Sequence, residues 1–284
     1  MTDHIAVYVA VLVVLMASAV SDWRRREASD VHWMIIMGIG CVLFAMRLYD
    51  SGESPAAYAA VASVVLMAAD LLWDRKADAK IDLALYILII AATVMGAFAL
   101  RDSDLLWTFV SMPVMYLLMN ALYYSGAVKG GADAKAVIAV SFVCPSYPNF
   151  GDLPFVAVPD GSLPLFVIPG FSVFLLAAFI TVILAVPYAV TNIVRGDTVV
   201  PNMFAGFRMG IDRAERSHVW PMEDYVDGQV RTTVSGSEDP GVYERLRAAG
   251  AERVWVTPII PFLIPITVAY AAVIFLGNPL FLLT

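Results

Sequence analysis

The stretch IAVYVAVLVVLMASAVS, residues 5–21, sets the physical character of this chain. It contains no charged side chain and, as a helix, is long enough to cross the ~30 Å hydrocarbon core of a bilayer. The whole chain shares this character, since 60% of its 284 residues are hydrophobic, 15% are charged and the mean hydropathy is +0.77. Ordinary water-soluble domains carry more charge and less apolar surface. The composition therefore predicts an integral membrane protein.

Apolar runs of similar length recur along the chain, and each is closed by charged or turn-forming residues. They predict an all-α polytopic membrane protein with about eight transmembrane helices, with six as the lower limit. The sixth run has a short apolar core followed by a turn-rich sequence, so a short or re-entrant segment fits it as well. The predicted spans are 5–21, 32–48, 56–73, 81–100, 104–124, 134–150, 163–193 and 257–283.

The predicted spans leave one long extramembrane piece, residues 195–256, which is acidic and turn-rich and ends in a short amphipathic helical pattern. The chain is accordingly divided into a transmembrane core at 1–194, a cytoplasmic loop or small subdomain at 195–256 and a final transmembrane helix at 257–284. A flexible lid and a folded subdomain are equally compatible with the middle piece.

Basic residues predict the orientation, because loops rich in Lys and Arg stay in the cytoplasm. With the N-terminus outside, the predicted cytoplasmic loops hold 16 of the 18 Lys and Arg residues, and Arg47 and Arg101 are the other two. Basic residues follow the first apolar run and do not precede it, the reverse of a secretory signal, so no cleaved signal is expected. We expect a multi-pass protein of the cell membrane. The cytoplasmic loops are 22–31, 74–80, 125–135 and 195–256.

Other residue types argue against several kinds of site. Cys41 and Cys144 form no CxxC pair and the three histidines are scattered, so neither a zinc site nor a disulfide framework is expected. The sequence has no glycine-rich phosphate loop and no evident repeat. We expect no metal, no other cofactor and no nucleic-acid partner.

Carboxylates near the apolar runs are costly in a membrane, and each calls for an explanation. Asp22 ends the first span in SDWRRREASD, and Asp133 opens the sixth in GGADAK. Both are predicted on the cytoplasmic side, where they can meet if the first and sixth helices pack together. The further candidates near cytoplasmic helix ends are Asp30, Asp70, Asp74 and Asp82.

Two carboxylates held close together cannot both ionise, and they share a proton. One can then accept a proton from water while the other donates one to a carbonyl oxygen, which is the chemistry of aspartic proteases. Gly130 and Gly131 would let a substrate approach the backbone closely. A structural alternative stays open for each aspartate: Asp133 as a helix N-cap, and Asp22 as an interfacial charge paired with Arg26.

The two aspartate motifs together resemble the archaeal type IV prepilin and preflagellin (archaellin) peptidases, which belong to the GxGD class of membrane aspartyl proteases. SDWRRRE at 21–27 is similar to the family's Asp followed by a basic cluster and Glu, and GGADAK at 130–135 to its Gly-x-hydrophobic-Asp, often followed by Ala-Lys. The proline-rich WVTPIIPFLIPI at 255–266 resembles the entry to the family's last span. The resemblance implies Asp22 and Asp133 as the catalytic pair.

The same resemblance places Gly130, Gly131 and Ala132 in the second motif, with Lys135 as a supporting residue. Lys129 and Lys135 would lower an aspartate pKa if they lay close to it. Ala132 departs from the second glycine of a strict GxGD, and the aspartates lie about 110 residues apart, some two spans more than compact members have. The cysteine pairs and methylating region of bacterial relatives are missing, so N-methylation of the product is not expected.

The function that the resemblance implies is removal of the short basic leader peptide of prepilins or preflagellins at the cytoplasmic membrane face. Water would be the nucleophile, and the partners would be pilin-like or archaellin precursors and the lipid bilayer. Glu223, Asp224 and Asp227 would attract a basic leader, although a solvated acidic loop explains them as well. Which precursor is cut and the oligomeric state stay open.

Two other functions stay open at this point. A presenilin-like intramembrane aspartyl protease would use the same carboxylates, but the sequence lacks the Pro-Ala-Leu element of that group and has Ser21 where that group has a tyrosine. A secondary transporter or channel would use intramembrane carboxylates to carry protons or cations, and it predicts interrupted helices in two related halves.

Overall fold

The computed structural model divides the chain into two compact units. The first is made of Met1–Ala177 and Pro261–Thr284, and the second is Ala178–Ile260. The second unit takes in the predicted extramembrane piece 195–256 and begins earlier in the chain. The residues described are 5–73, 79–128, 130–151, 153–156, 158–159, 163–183, 185–234, 236–258 and 261–282.

Six helical segments of the described chain are long and apolar enough to cross a membrane. This confirms the prediction of a mostly helical, polytopic membrane protein. The segments are α1 (Ile5–Arg25), α2 (Asp30–Asp50), a 3-10 turn at Pro55–Ala57 with α3 (Tyr58–Leu72), α4 (Ala79–Ala99), α5 (Leu105–Tyr124), and Pro169–Arg195, which contains α7 (Pro169–Ile183) and α8 (Ala185–Arg195).

Two of the eight predicted spans are shorter than expected. Helix α6 (Gly131–Val143) has 13 residues, and α12 (Leu263–Ala271) continues as a π-helical segment to Leu276. At 1.5 Å per residue, 13 residues extend about 20 Å, less than the ~30 Å hydrocarbon core. The predicted span 257–283 also begins too early, because its first two residues end a β-strand.

Helix α6 is the buried centre of the first unit. Its residues 136–143 are all buried, and α2, α5 and α12 pack around it. A helix that is apolar on every side is covered either by protein or by lipid, and here protein covers it, which explains why a segment too short to span can still be hydrophobic. Gly40 of α2 allows the closest approach, since a Cβ there would lie 2.6 Å from the backbone carbonyl carbon of Phe142.

The second unit is a small α/β structure, which the helical pattern at its end did not predict in full. Its antiparallel sheet has the order β1-β5-β2, beside a β3–β4 hairpin. Side chains of β5 and α11 form much of its core, with Leu246, Val254 and Val256 buried. Its strands are β1 (Phe207–Gly210), β2 (Val219–Pro221), β3 (Glu223–Val226), β4 (Gln229–Thr232) and β5 (Arg253–Pro258), and its helices after α8 are α9 (Asn202–Ala205), α10 (Ile211–Glu215) and α11 (Val242–Ala248).

Candidate active site

Asp22 and Asp133 line one cleft of the first unit. Asp22 lies one turn before the end of α1, and Asp133 lies in the first turn of α6. The prediction joined them by direct packing of these two helices. In the structure, α1 and α6 each pack against both α2 and α12, which hold the two helix ends at the same cleft.

The cleft has a volume of about 640 Å³ and is formed by two short segments, residues 21–29 and 130–133. Hydrogen bonds of two serines determine the conformation of the first segment. Ser21 Oγ donates to the Glu27 carbonyl oxygen at 2.9 Å. Ser29 is the N-cap of α2, and its hydroxyl accepts a hydrogen bond from the Val31 amide at 3.3 Å. These bonds turn the chain sharply after Asp22 and close one wall of the cleft.

The second segment is the start of α6. Gly130 is the N-cap, with φ −86° and ψ 115°, so the alternative reading of Asp133 as the N-cap is wrong. Asp133 is the third helical residue, where the helix dipole favours a negative charge. Its Oδ2 lies so close to Gly130 that a Cβ at position 130 would overlap it. The glycine is needed for space and not for backbone conformation.

The carboxyl group of Asp133 has an altered affinity for protons. Helix α6 is not among the six candidate spans, and Asp133 stands in its first turn. Burial, followed by the negative charge of Asp22, raises the pKa of Asp133 to about 7. Near neutral pH, Asp133 therefore holds a proton for a substantial part of the time, and its protonation depends on Asp22.

Lys135 pairs with an aspartate other than the two predicted to be catalytic. Its Nζ donates to Asp30 Oδ1 at 2.6 Å, which ties the first turn of α6 to the first turn of α2. The expected lowering of an aspartate pKa is not found at Asp133, whose pKa is raised. Lys129, the other lysine of the motif, lies outside the described residues.

Arg26 lies in the same cleft, in a conformation that the sequence did not indicate. It directly follows α1 with φ +60°, and its amide donates to the Asp22 carbonyl oxygen at 2.9 Å. The guanidinium Nε and Nη1 are buried and have no hydrogen-bond partner within the described residues. The alternative pairing of Asp22 with Arg26 is therefore not made through these two nitrogens.

The acidic residues proposed to contact a basic leader belong to the second unit and are engaged there. Glu223 Oε2 accepts the Trp255 amide at 3.0 Å. Asp224 accepts two hydrogen bonds from Arg245, at 2.8 and 2.9 Å, and these bonds hold the pKa of Asp224 below its usual range.

Asp227 has a structural role of its own in the second unit. It lies in the Asp227-Gly228 turn between β3 and β4 with φ +53°, as a two-residue hairpin turn requires. Its carboxylate pairs with Arg231 at 3.1 Å, with both side chains exposed. Each of the three predicted leader contacts therefore has a partner inside the second unit.

Asp70, another candidate carboxylate, has a partner away from the cleft. Asp70 Oδ2 accepts a hydrogen bond from the Tyr116 hydroxyl group, with the two oxygens 2.6 Å apart, and this bond joins α3 to α5. Asp74 lies outside the described residues. In the part of the chain that is described, no group of three or more His, Cys, Asp or Glu side chains is placed to hold a metal ion.

Comparison with known families gives a match in the C-terminal part of the chain. Residues 199–278 match the family described as Archaeal Peptidase A24 C-terminus Type II. Asp22 and Asp133 lie outside the matched region. Searches of curated proteins and of solved structures gave no significant match. The family match supports the resemblance to the archaeal prepilin and preflagellin peptidases and, with it, a protease of that general type.

Proposed function

We propose that this protein is a membrane aspartyl endopeptidase that removes the short basic leader of archaeal prepilins or preflagellins, with Asp22 and Asp133 as its catalytic residues. One observation carries the proposal: two carboxylates about 110 residues apart in sequence line one cleft at helix ends. The family match in the C-terminal part supports the same class of protease independently of these residues.

The cleft suits the two carboxylates to different roles. Asp133, with a raised pKa, carries the proton and donates it to the carbonyl oxygen of the scissile peptide bond. Asp22, ionised, takes a proton from the attacking water, whose oxygen bonds to the carbonyl carbon. The tetrahedral intermediate then loses its C–N bond as the amine nitrogen takes up the proton that Asp22 gained. Asp133 recovers its own proton from the intermediate, and both groups return to their starting state.

The proposed reaction takes place at the cytoplasmic face of the cell membrane. The loops that carry Asp22 and Asp133 belong to the basic set that the positive-inside rule assigns to the cytoplasm, with the N-terminus outside. A leader rich in Lys or Arg would stay on that side while the hydrophobic helix after it enters the bilayer. The bond between the two parts would then reach the depth of the cleft.

The test is cleavage of a pilin-like or archaellin precursor in membranes containing wild type, Asp22→Asn, Asp133→Asn or Asp70→Asn. Asp70 is the matched control, because it is also a carboxylate near a helix end but is hydrogen-bonded to Tyr116. Loss of cleavage in the first two variants and its retention in the third are expected. Wild-type rates in either of the first two would remove that residue from the mechanism. Failure of wild type to cut any precursor would favour a transporter.

A further inference from the structure

Arg26 differs from the two arginines before it. Arg24 and Arg25 are in the last turn of α1 with exposed side chains, whereas Arg26 is only partly exposed. Its Nε and Nη1 are shielded from solvent without a partner in the described residues. Buried guanidinium N–H groups without an acceptor are unfavourable, so this side chain is set up to receive one. Arg26 also lines the cleft with Asp22 and Asp133, so a small movement of its side chain would bring these N–H groups to an acceptor bound there.

The backbone conformation of Arg26 also supports a role in binding. Its amide bonds to the Asp22 carbonyl oxygen from a left-handed conformation, which is the arrangement that glycine usually fills after a helix. A residue with a Cβ is strained there. An arginine at this position therefore has a higher backbone conformational energy than a glycine would have. Backbone strain of this kind is found at functional sites. The Arg26 side chain lines the cleft.

The charges of the cleft limit the kind of acceptor. Asp22 and Glu27 line the same space as Arg25 and Arg26, and Asp133 adds a negative charge when it is ionised, so the cleft has no excess positive charge to attract a phosphate or a carboxylate. A neutral acceptor does not need one. The peptide carbonyl group is the neutral acceptor that a protease substrate always brings, and a guanidinium offers several N–H donors in a fixed plane.

We propose that Arg26 binds main-chain carbonyl oxygens of the precursor next to the bond that is cut, and so holds that segment extended across Asp22 and Asp133. This inference rests on the proposed function, since it takes the cleft as the place where a precursor binds. Recognition through the main chain is independent of side-chain identity. The cleft would therefore accept precursors whose sequences differ around the cleavage site.

The test measures binding separately from cleavage. A fluorescent precursor peptide is titrated into the full-length Asp133→Asn protein, and into the same protein carrying Arg26→Gly or Arg24→Ala. Arg26→Gly suits this purpose because glycine relieves the backbone strain, so thermal stability should be unchanged or higher. We expect Arg26→Gly to weaken peptide binding at least tenfold and Arg24→Ala to change it less than twofold.

The carbonyl contact is tested with peptides in which one amide near the cleavage site at a time is replaced by a thioamide, a weaker acceptor. One or two of these replacements should weaken binding to the protein with Arg26 and have no effect once Arg26→Gly is present. Binding by Arg26→Gly within twofold of its parent overturns the proposal. An equal loss in Arg24→Ala also overturns it, because the attraction would then be a general effect of positive charge.

Cleavage by the wild-type protein distinguishes this inference from the proposed function. If the peptide binds through Arg26 but wild type never cuts it, the catalytic proposal fails while the binding proposal stands. If wild type cuts and Arg26→Gly leaves both binding and KM unchanged, the catalytic proposal stands and the binding proposal fails. A parent protein that binds no precursor peptide contradicts both.

Discussion

The Asp133 carboxylate lies directly against Gly130, in space that a side chain at position 130 would fill. The first residue of the GGAD motif thus determines where the last one can place its oxygens. Gly131 has no such role, since a Cβ there would make ordinary contact with the Tyr123 ring, the nearest atom being its hydroxyl oxygen at 3.6 Å. The two adjacent glycines therefore differ in how well they tolerate substitution.

Gly130→Ala should abolish most of the activity, because the new methyl group displaces the Asp133 carboxylate. Misplacing a catalytic group by about 1 Å costs on the order of 10²-fold in rate. Gly131→Ala is the matched control and should stay within a few-fold of wild type. Cleavage rates of both variants in membranes check this, with thermal stability measured alongside. Equal rates for the two alanine variants would show that position 130 does not set the carboxylate.

The activity should fall as the pH rises through about 7, the value to which burial and Asp22 raise the pKa of Asp133. A raised pKa means that the folded protein keeps this proton up to that pH and loses it above. The proposed mechanism needs Asp133 protonated, so kcat/KM should decrease about tenfold per pH unit once the proton is lost. A profile measured between pH 5 and 9 checks this. A rate that climbs steadily across this range would contradict the assignment of Asp133 as the acid.

The same raised pKa predicts that Asp133 lowers the stability of the protein above neutral pH. The folded state binds the proton more tightly than the unfolded state, so stability falls as the pH rises from about 4 to about 7 and then levels off. Asp133→Asn removes this ionisation and should raise the melting temperature by a few °C at pH 8. The gain should shrink at pH 5. A variant that melts below wild type at pH 8 would contradict the prediction.

Hydropathy predicted α1 to α5 well and the later helices less well, for one physical reason. A helix facing lipid and a helix buried in a bundle are equally apolar, so composition does not tell whether a segment such as 134–150 reaches both surfaces. In the structure this helix ends at Val143. Strand β5 was not predicted for a similar reason. Its apolar residues are followed closely by those of α12, so hydropathy does not separate the strand from the helix.

The sequence predicted that Asp22 and Asp133 could lie close together, and it indicated less about the residues around them. The cost of a charge near a membrane drew attention to Asp22 and Asp133, and the structure places both in one cleft. The bond between Lys135 and Asp30 joins residues 105 apart, so local spacing could not reveal it. Arg26 follows two other arginines. Nothing in a run of three arginines indicates that the last one has a left-handed backbone conformation.

Lys135 and Asp30 should affect stability together and chemistry only slightly. Their bond ties α6 to α2, and the partly exposed pair should contribute about 0.5–1 kcal/mol to the free energy of unfolding. Lys135→Ala and Asp30→Ala should each lower the melting temperature slightly, and the double variant should be no less stable than the sum of the two predicts. Cleavage should remain within a few-fold of wild type. A large loss of kcat in Lys135→Ala alone would instead give the lysine a direct role beside Asp133.

Arg245 should stabilise the β3–β4 hairpin of the second unit, and this effect should depend on pH. It bonds to both carboxylate oxygens of Asp224 and also to Asp239 at 2.8 Å, which joins α11 to β3. Arg245→Ala should speed amide hydrogen exchange in residues 223–232 several-fold at pH 7 in the full-length protein. Arg231→Ala is the control, since its pair with Asp227 is exposed, and exchange should stay within twofold of wild type.

The pH dependence of this effect follows from Asp224. Hydrogen bonds from Arg245 lower the pKa of Asp224, so its contribution is present above the usual carboxyl range and is lost as the pH falls through the lowered value. After correction for the intrinsic exchange rates, the difference between Arg245→Ala and wild type should therefore shrink on acidification. A difference that stays constant down to the pH at which carboxylates protonate would show that Arg245 acts through packing and not through its ion pairs.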